Sequence, residues 1–276
     1  MGGEDFPFLA GLVKRACGIV LTPAHAELAT GRLKRLADRH GFPNLSSLIK
    51  ALRSGEAKLA SAVIEALTIR DTSFFRDQAA FTTLRNVVLP RLQKARSAKK
   101  RLSLWSAACG TGQEPYSLAM LLAEMPQFAD WDIEILATDM SADAIAQARA
   151  GLYSQPEMQR GLPGSMLEHF RREGSAWRVD FAIQRYVRFE VSNLLDAFAE
   201  PGPFDVILCR NVLIYFDAAT KADVLERLSR VLACDGHLLL GSAETTLGTS
   251  SSLTGQSYAR RVDKTDMSVP ASPAML

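Results

Sequence analysis

Three groups of residues in this chain could carry chemistry. The first follows a short apolar run. Leu102, Leu104 and Trp105 lead through the small residues Ala107 and Ala108 to Gly110 and Gly112, and Gln113–Pro115 opens a second run through Leu118, Met120 and Leu121. Glycine has no Cβ, so a loop built on it can take positive φ and let a ligand lie against bare backbone. Proline suits a first helical turn, where its missing N–H would be unpaired anyway. Strand, glycine turn and helix form the arrangement by which an open α/β sheet holds a nucleotide-like ligand, although an ordinary strand–helix turn can carry the same glycines. Asp139, directly after the apolar Ile133–Thr138, favours the ligand reading, because a carboxylate there can accept both hydroxyls of a ribose. A nicotinamide fingerprint would want a third glycine where this chain has Pro115, and its acid about 20 residues on. Asp139 stands 29 residues after Gly110. Both departures favour S-adenosylmethionine (SAM) over a nicotinamide donor.

The second group is Phe204–Asp217, FDVILCRNVLIYFD. Arg210 and Asn211 come where a fully apolar strand runs out, at the carboxyl edge where open sheets bind ligands. An arginine directly after such a strand is costly to bury without a partner. Tyr215 follows one helical turn later, either as packing with its hydroxyl at the surface or as a donor. The third group is Thr72–Arg76, TSFFR. Phe74 and Phe75 can serve as core, and Thr72 and Arg76 flank them within reach of a carboxylate or ribose.

These groups need elements to hold them. Phe6–Leu67 patterns as helices: Thr22-Pro23 starts one, Gly41 stops it, and Ala29, Leu33, Leu36 and Ala37 share a face apart from Arg32, Arg35 and Arg39. No strand signal falls in this part. Phe81–Leu92 reads as a helix that Pro90 should kink or end. From Leu102 the pattern becomes alternating strands and helices, which predicts a mostly parallel sheet covered on both faces. Leu162–Arg172 reads as helical and Trp177–Val191 as a small β excursion followed by a core strand. Asp205–Cys209 is a buried-type strand, Ala218–Leu232 an amphipathic helix, Asp235-Gly236 a turn, and Tyr258–Val262 a last strand. The expected organisation is a helical domain at 1–67, a linker and connecting helix at 68–101, and a catalytic domain at 102–263. A small β-subdomain at about 174–186 sits within it, and a disordered tail follows at 264–276.

The 276 residues are 47% hydrophobic, enough for a substantial core in two domains, and the net charge of +2 disfavours a strongly basic nucleic-acid binder. No apolar run approaches the roughly 20 residues of a bilayer span. The start, MGGEDFPF, lacks the basic region of a signal peptide, and Phe6 disfavours a myristoylation signal. The four cysteines, Cys17, Cys109, Cys209 and Cys234, are scattered. The expectation is therefore no metal site and a reduced, cytoplasmic setting.

In order, DTSFFRD, LWSAACGTGQEPYSLAM, ATDMSADAIAQARAGLY, SNLLD, PFDVILCRNVLIYFD and DGHLLLGSAET resemble the motifs of the CheR-type chemotaxis receptor methyltransferases. The likeness runs from about Asp71 to Val262, and the helical N-terminal part fits that family too. It implies a class I SAM-dependent methyltransferase: an α/β, Rossmann-like doubly wound sheet with an all-helical N-terminal domain and an inserted antiparallel β-subdomain. The implied activity is transfer of a methyl group to glutamate side chains of chemoreceptors, giving γ-methyl esters and S-adenosylhomocysteine. By the same likeness Thr72 and Arg76 approach the methionine part of SAM and Glu114 its amino group. Asp139 holds the ribose, Asn193-Leu194 border the adenine, and Arg210-Asn211 complete a pocket that includes Ala108, Gly110 and Met140. Tyr215, with Arg76, would act at the point of methyl transfer. Arg70, counted with the cofactor-binding residues, stands two residues before Thr72, where the family usually has asparagine, a departure from the residue that makes the usual contact there. Phe170–Val179 is compact where relatives that dock a receptor pentapeptide carry a longer loop, so no such tether is expected.

A glutamate carboxylate, with a pKa near ~4.3, is already ionised at neutral pH. No general base is needed, and the sites described contain no histidine. The implied partners are the cytoplasmic methylation helices of chemoreceptors, with the Arg32/Arg35/Arg39 face as a docking surface or merely solvated surface. Two other readings compete: a non-catalytic module of the same fold that senses SAM or its product, and a NAD-dependent oxidoreductase.

Overall fold

The computed structural model describes residues 4–68, 71–199, 202–244, 253–254 and 258–261. The chain forms two compact units, one made of Met1–Arg70 with Tyr215–Thr220, the other of Asp71–Ile214 with Lys221–Leu276.

The first unit contains α1 (Asp5–Cys17), α2 (Ala26–Arg39), α3 (Leu45–Arg53) and α4 (Ala57–Leu67). Helical spacing puts Leu9, Val13 and Cys17 on one buried stripe of α1, and Ala29, Leu33, Leu36 and Ala37 on that of α2. Thr22 and His25 form a reciprocal cap around Pro23, which starts a 3-10 turn ahead of α2. Asn44 caps α3 by accepting the Ser47 N–H at 2.9 Å. The segment around Phe216 adds one antiparallel bridge to Ile19, where the sequence showed no strand signal. The Val20 N–H donates to the Tyr215 carbonyl at 2.8 Å, and Lys14 meets Asp217 at 2.7 Å.

The second unit begins with α5 (Gln78–Thr83), a π-helical turn over Leu84–Val88, and α6 (Leu89–Ala95). Pro90 lies in the first turn of α6, and the widened turn ahead of it absorbs the break that a proline imposes. Then follow β1 (Arg101–Ala107), α7 (Gln113–Ala123), β2 (Asp132–Asp139), α8 (Ala142–Ala150), β3 (Leu152–Ser154), α9 (Gln155–Gln159), β4 (Phe170–Glu173), β5 (Ala176–Val179) and α10 (Phe181–Gln184). The chain continues through β6 (Val187–Val191), β7 (Phe204–Cys209), α11 (Ala218–Val231), β8 (Leu232–Leu240), β9 (Leu253–Thr254) and β10 (Tyr258–Arg261).

The main sheet has the order β6-β2-β1-β7-β8-β10-β9. Its pairs from β6 to β8 are parallel, and β10 runs antiparallel to both β8 and β9. From β1 the chain proceeds to β2 and β6 on one side, then to β7 and β8 on the other. The carboxyl ends of β1 and β7 therefore flank a topological switch point, the place where such sheets bind ligands.

Two segments differ from the sequence reading. Pro163 and Gly164 start only a 3-10 turn, Gly164–His169, and Phe170 then enters a strand of the small sheet β3-β5-β4. The ring of Phe170 packs edge-on against Phe74, with centroids 5.4 Å apart, so tertiary packing overrides local helix preference. Asp235-Gly236 does not break the chain, because β8 runs through it. A register shift at Phe204/Val206 takes up the irregularity. The two carboxylate oxygens of Asp235 accept from Arg96 at 2.5 and 2.8 Å, and the Arg96 Nε–H reaches Asp205 at 2.8 Å. The tail at 264–276 lies outside the described residues.

Candidate active site

Residues of all three sequence groups, Thr72 and Arg76, Gly110 and Glu114, and Arg210, bear on the second unit's switch point. Beyond β1 the Cys109 N–H still pairs with the Thr138 carbonyl at 2.9 Å, so the glycine loop leaves the sheet alongside β2. Ala108, Gly110 and Gly112 all have positive φ. At Gly112 a Cβ would stand 2.8 Å from the Ala148 Cβ and 2.9 Å from the Tyr153 hydroxyl, so no other residue fits that turn without displacement. The methyl group of Thr72 covers Gly110 and would lie 3.2 Å from a Cβ placed there.

Asp139 ties the loop down. One carboxylate oxygen accepts the Gly110 N–H at 2.8 Å and the other the Ser141 N–H at 2.9 Å. Each oxygen of a carboxylate can accept more than one bond, which suits a group that also receives ligand hydroxyls. The Asp139 carbonyl accepts from the Ser192 N–H at 3.0 Å, extending the β2–β6 pairing. This places Asp139 and half-buried Met140 beside Asn193 and Leu194 at one sheet edge. Asn193 uses its side-chain oxygen to accept the Leu195 N–H at 3.1 Å, and Leu194 is buried.

At the end of β7, Arg210 is enclosed: its side chain is 1% exposed. Its guanidinium donates to Glu114 at 2.9 Å and to the Arg76 carbonyl at 2.7 Å, with Asp77 at 3.4 Å. The partner that an arginine after an apolar strand requires is thus Glu114, whose other oxygen accepts the Ser106 hydroxyl at 2.7 Å. The Arg210 Nε has no hydrogen-bond partner among the described residues. Arg76 is partly exposed and donates to the Asp71 carbonyl. The Asp71 carboxylate meets Arg76 at 3.6 Å and Arg160 at 2.8 Å. Those contacts, the Arg160 hydrogen bond first, hold its carboxyl below the usual range.

Tyr215 belongs to the first unit, and Arg70 lies outside the described residues. Cys109 and Cys209 are buried thiols pushed well above the ordinary value by burial, so neither is a nucleophile. Among the described residues, one acid–histidine group, Glu124, Glu168 and His169, comes together elsewhere on the unit, with His169 3.1 Å from Glu124.

Sequence reasoning did not find Ser106, Asp71 or Arg160. Ser106 is eight residues from Glu114 and hidden in a strand, and Arg160 is 89 residues from Asp71.

Residues 4–68 match the family described as CheR methyltransferase, all-alpha domain, and residues 70–260 match CheR methyltransferase, SAM binding domain. The chain belongs to the CheR methyltransferase family. Chemotaxis protein methyltransferase 1 of Pseudomonas aeruginosa is 39% identical over 246 residues, 87% of this chain and 89% of that protein. Chemotaxis protein methyltransferase Cher2 of Pseudomonas putida is 35% identical, over 90% and 92% of the two chains. The chemotaxis protein methyltransferase of Escherichia coli is 33% identical, over 88% and 85%. This CheR chain is accordingly a SAM-dependent methyltransferase of chemotaxis, with the class I fold and helical N-terminal domain that the sequence predicted.

The donor set fits SAM. A carboxylate beside a glycine loop suits a ribose diol, an acid such as Glu114 suits an ammonium group, and the unpaired, enclosed donor of Arg210 is what a site made to receive an acceptor would contain. Among the described residues no helix is long and apolar enough to cross a membrane.

Proposed function

We propose that this CheR enzyme methylates glutamate side chains on the cytoplasmic methylation helices of chemoreceptors, forming γ-methyl esters. The observation that carries the reading is the Arg210–Glu114 pair at the switch point, with Arg76 bound to it through its carbonyl. It supplies, in one place, a carboxylate for the ammonium of SAM and guanidinium groups for carboxylates.

SAM supplies a methyl group on a positively charged sulfur, a leaving group that needs no acid. The chain's own residues have correspondingly little proton chemistry to do. Glu114, fixed by Ser106 and Arg210, holds the amino group of the donor; Thr72 and Arg76 border its methionine part. Asp139 accepts the ribose hydroxyls. Met140, Asn193 and Leu194 line the adenine edge, Ala108 and Gly110 present bare backbone, and Asn211 closes the pocket. Arg70, which lies outside the described residues, is assigned to the cofactor by the family likeness alone. By the family likeness Arg76 and Tyr215 are each assigned to the incoming glutamate carboxylate, which is ionised at neutral pH and needs no base to attack. Positioning of this kind can contribute several kcal/mol to the barrier.

The receptor helix docks on the basic face of α2. There Arg32, Arg35, Arg39, Ala66 and Thr68 line a notch of about 280 Å³. Arg32 is already engaged, donating to the Thr68 carbonyl at 2.7 Å, so Arg35 and Arg39 are the docking charges. The β4–β5 hairpin pairs Glu173 with Ala176 and turns through Gly174 and Ser175 alone. That brevity supports an enzyme that works without a pentapeptide tether in the cytoplasm.

The deciding assay incubates the protein with methyl-labelled SAM and receptor-containing membranes. Base-labile label on the receptor is expected. Binding of SAM without any transfer would establish a sensing module instead.

A further inference from the structure

We propose that Glu244 is a positioning residue for the donor pocket, acting through Asn211. The inference rests on Asn211 lining that pocket. Glu244 lies beyond β8, 33 residues after Asn211, and is 3% exposed. Its carboxylate gathers a set of backbone donors. One oxygen accepts the N–H groups of Asn211 at 2.8 Å and Gly241 at 2.6 Å. The other accepts those of Val212 at 2.9 Å, Leu213 at 2.7 Å and Ile214 at 3.3 Å.

The recipient is the turn by which the chain leaves β7 after Arg210. Asn211 has φ 59° there, a left-handed conformation that a non-glycine residue keeps only when its surroundings hold it. A buried carboxylate bonded to four successive N–H groups supplies that hold. The packing at Gly241 is close too: a Cβ there would stand 2.7 Å from the Asn211 side-chain nitrogen, 2.9 Å from its backbone nitrogen and 2.8 Å from Glu244 itself. Asn211 is therefore packed closely against both Gly241 and the carboxylate, with no room for a further methyl group among the three. Glu244 has its oxygens turned to the protein's own backbone, so any effect on the donor passes through the residue it holds.

A glutamine at this position keeps the shape, removes the charge and replaces one acceptor with an NH₂ group facing N–H donors. The test compares Glu244→Gln, Asn211→Gly and the double variant in the full chain. Calorimetry with S-adenosylhomocysteine, the KM for SAM, kcat at saturating SAM and thermal melting are all measured. Glu244→Gln is expected to raise the dissociation constant and KM by about tenfold, the scale of one lost charged hydrogen bond, with kcat within about threefold. On the Asn211→Gly background the further change should shrink below about threefold, because the two residues act in series. A folded Glu244→Gln protein of unchanged affinity overturns the proposal, and so does an equal loss on both backgrounds. If Asn211→Gly alone leaves affinity unchanged, the pocket role of Asn211 fails and takes the proposal with it. Should Glu244→Gln not fold, Gly241→Ala, which intrudes between the same two residues, is read in the same way. Failure of both to fold makes Glu244 a stability residue only and overturns the proposal.

Discussion

Arg210 and Glu114 are 96 residues apart in sequence and joined by a 2.9 Å hydrogen bond at the end of the sheet, with 1% of the arginine side chain and 13% of the glutamate side chain exposed. Each satisfies the other's charge where water does not, and Ser106 and the Arg76 carbonyl complete the arrangement. An ion pair so enclosed contributes order more than net stability, and breaking it from one side is the expensive change.

Glu114→Gln should therefore weaken SAM binding by roughly 10- to 100-fold, the range for a lost charge-assisted hydrogen bond. It should also lower the melting temperature, because Arg210 keeps only Asp77 as a charged partner. Calorimetry and thermal melting of the same preparation check both.

Tyr215→Phe should lower kcat while leaving SAM affinity close to wild type, since the hydroxyl is assigned to the acceptor carboxylate alone. Steady-state methylation of receptor membranes decides this, and unchanged turnover would remove Tyr215 from the mechanism.

Gly112→Ala should destabilise the protein by about 1–3 kcal/mol through overpacking and backbone strain. For a chain of this size that corresponds to roughly 2–4 °C in Tm per kcal/mol. The Ala148 Cβ at 2.8 Å is a helix residue and cannot swing aside. Differential scanning calorimetry gives the number directly.

Reversing Arg35 and Arg39 together should raise the receptor KM and remove much of its salt dependence, with kcat little changed. Arg32→Glu should behave differently and lower Tm, because Arg32 caps the carbonyl of Thr68.

The Arg96 clamp gives a pH prediction. The Arg96 hydrogen bond holds the Asp235 carboxyl below its usual range. The clamp's stabilisation is thus complete above the unfolded-state value, near ~3.9, and is lost as pH falls through the lower folded value. The gap in Tm between wild type and Asp235→Asn should be constant at neutral pH and close in acid below about pH 4. A gap that persists there would assign the clamp's effect to shape rather than charge.

The features the sequence made legible are those written in local spacing. Gly110 and Gly112 announce a left-handed turn, Asp139 ends an apolar strand, and Arg210 interrupts one; each is a short-range signal with one physical meaning. What stayed hidden was the far partner of each group. Nothing near Asp71 points to Arg160, and nothing near Asn211 points to Glu244, because those meetings are set by strand order rather than by chain distance. The small sheet shows the same limit. Phe170 reads as helical among its neighbours, and the Phe74 ring, 96 positions earlier, makes it a strand residue. Arg32, by contrast, carried its charge openly in the sequence, and only the fold shows that the end of α4 already uses it.

The short passage around Phe216 bears on how such a protein can be dissected. Because it bridges Ile19 and anchors Lys14, the helical unit is not a contiguous stretch of chain. Cutting after residue 70 would strip six downstream residues, Tyr215–Thr220, of the neighbours they pack with. An inert truncated fragment would then say little about what the helices do, and a split-protein experiment that supplies them in trans would say much more.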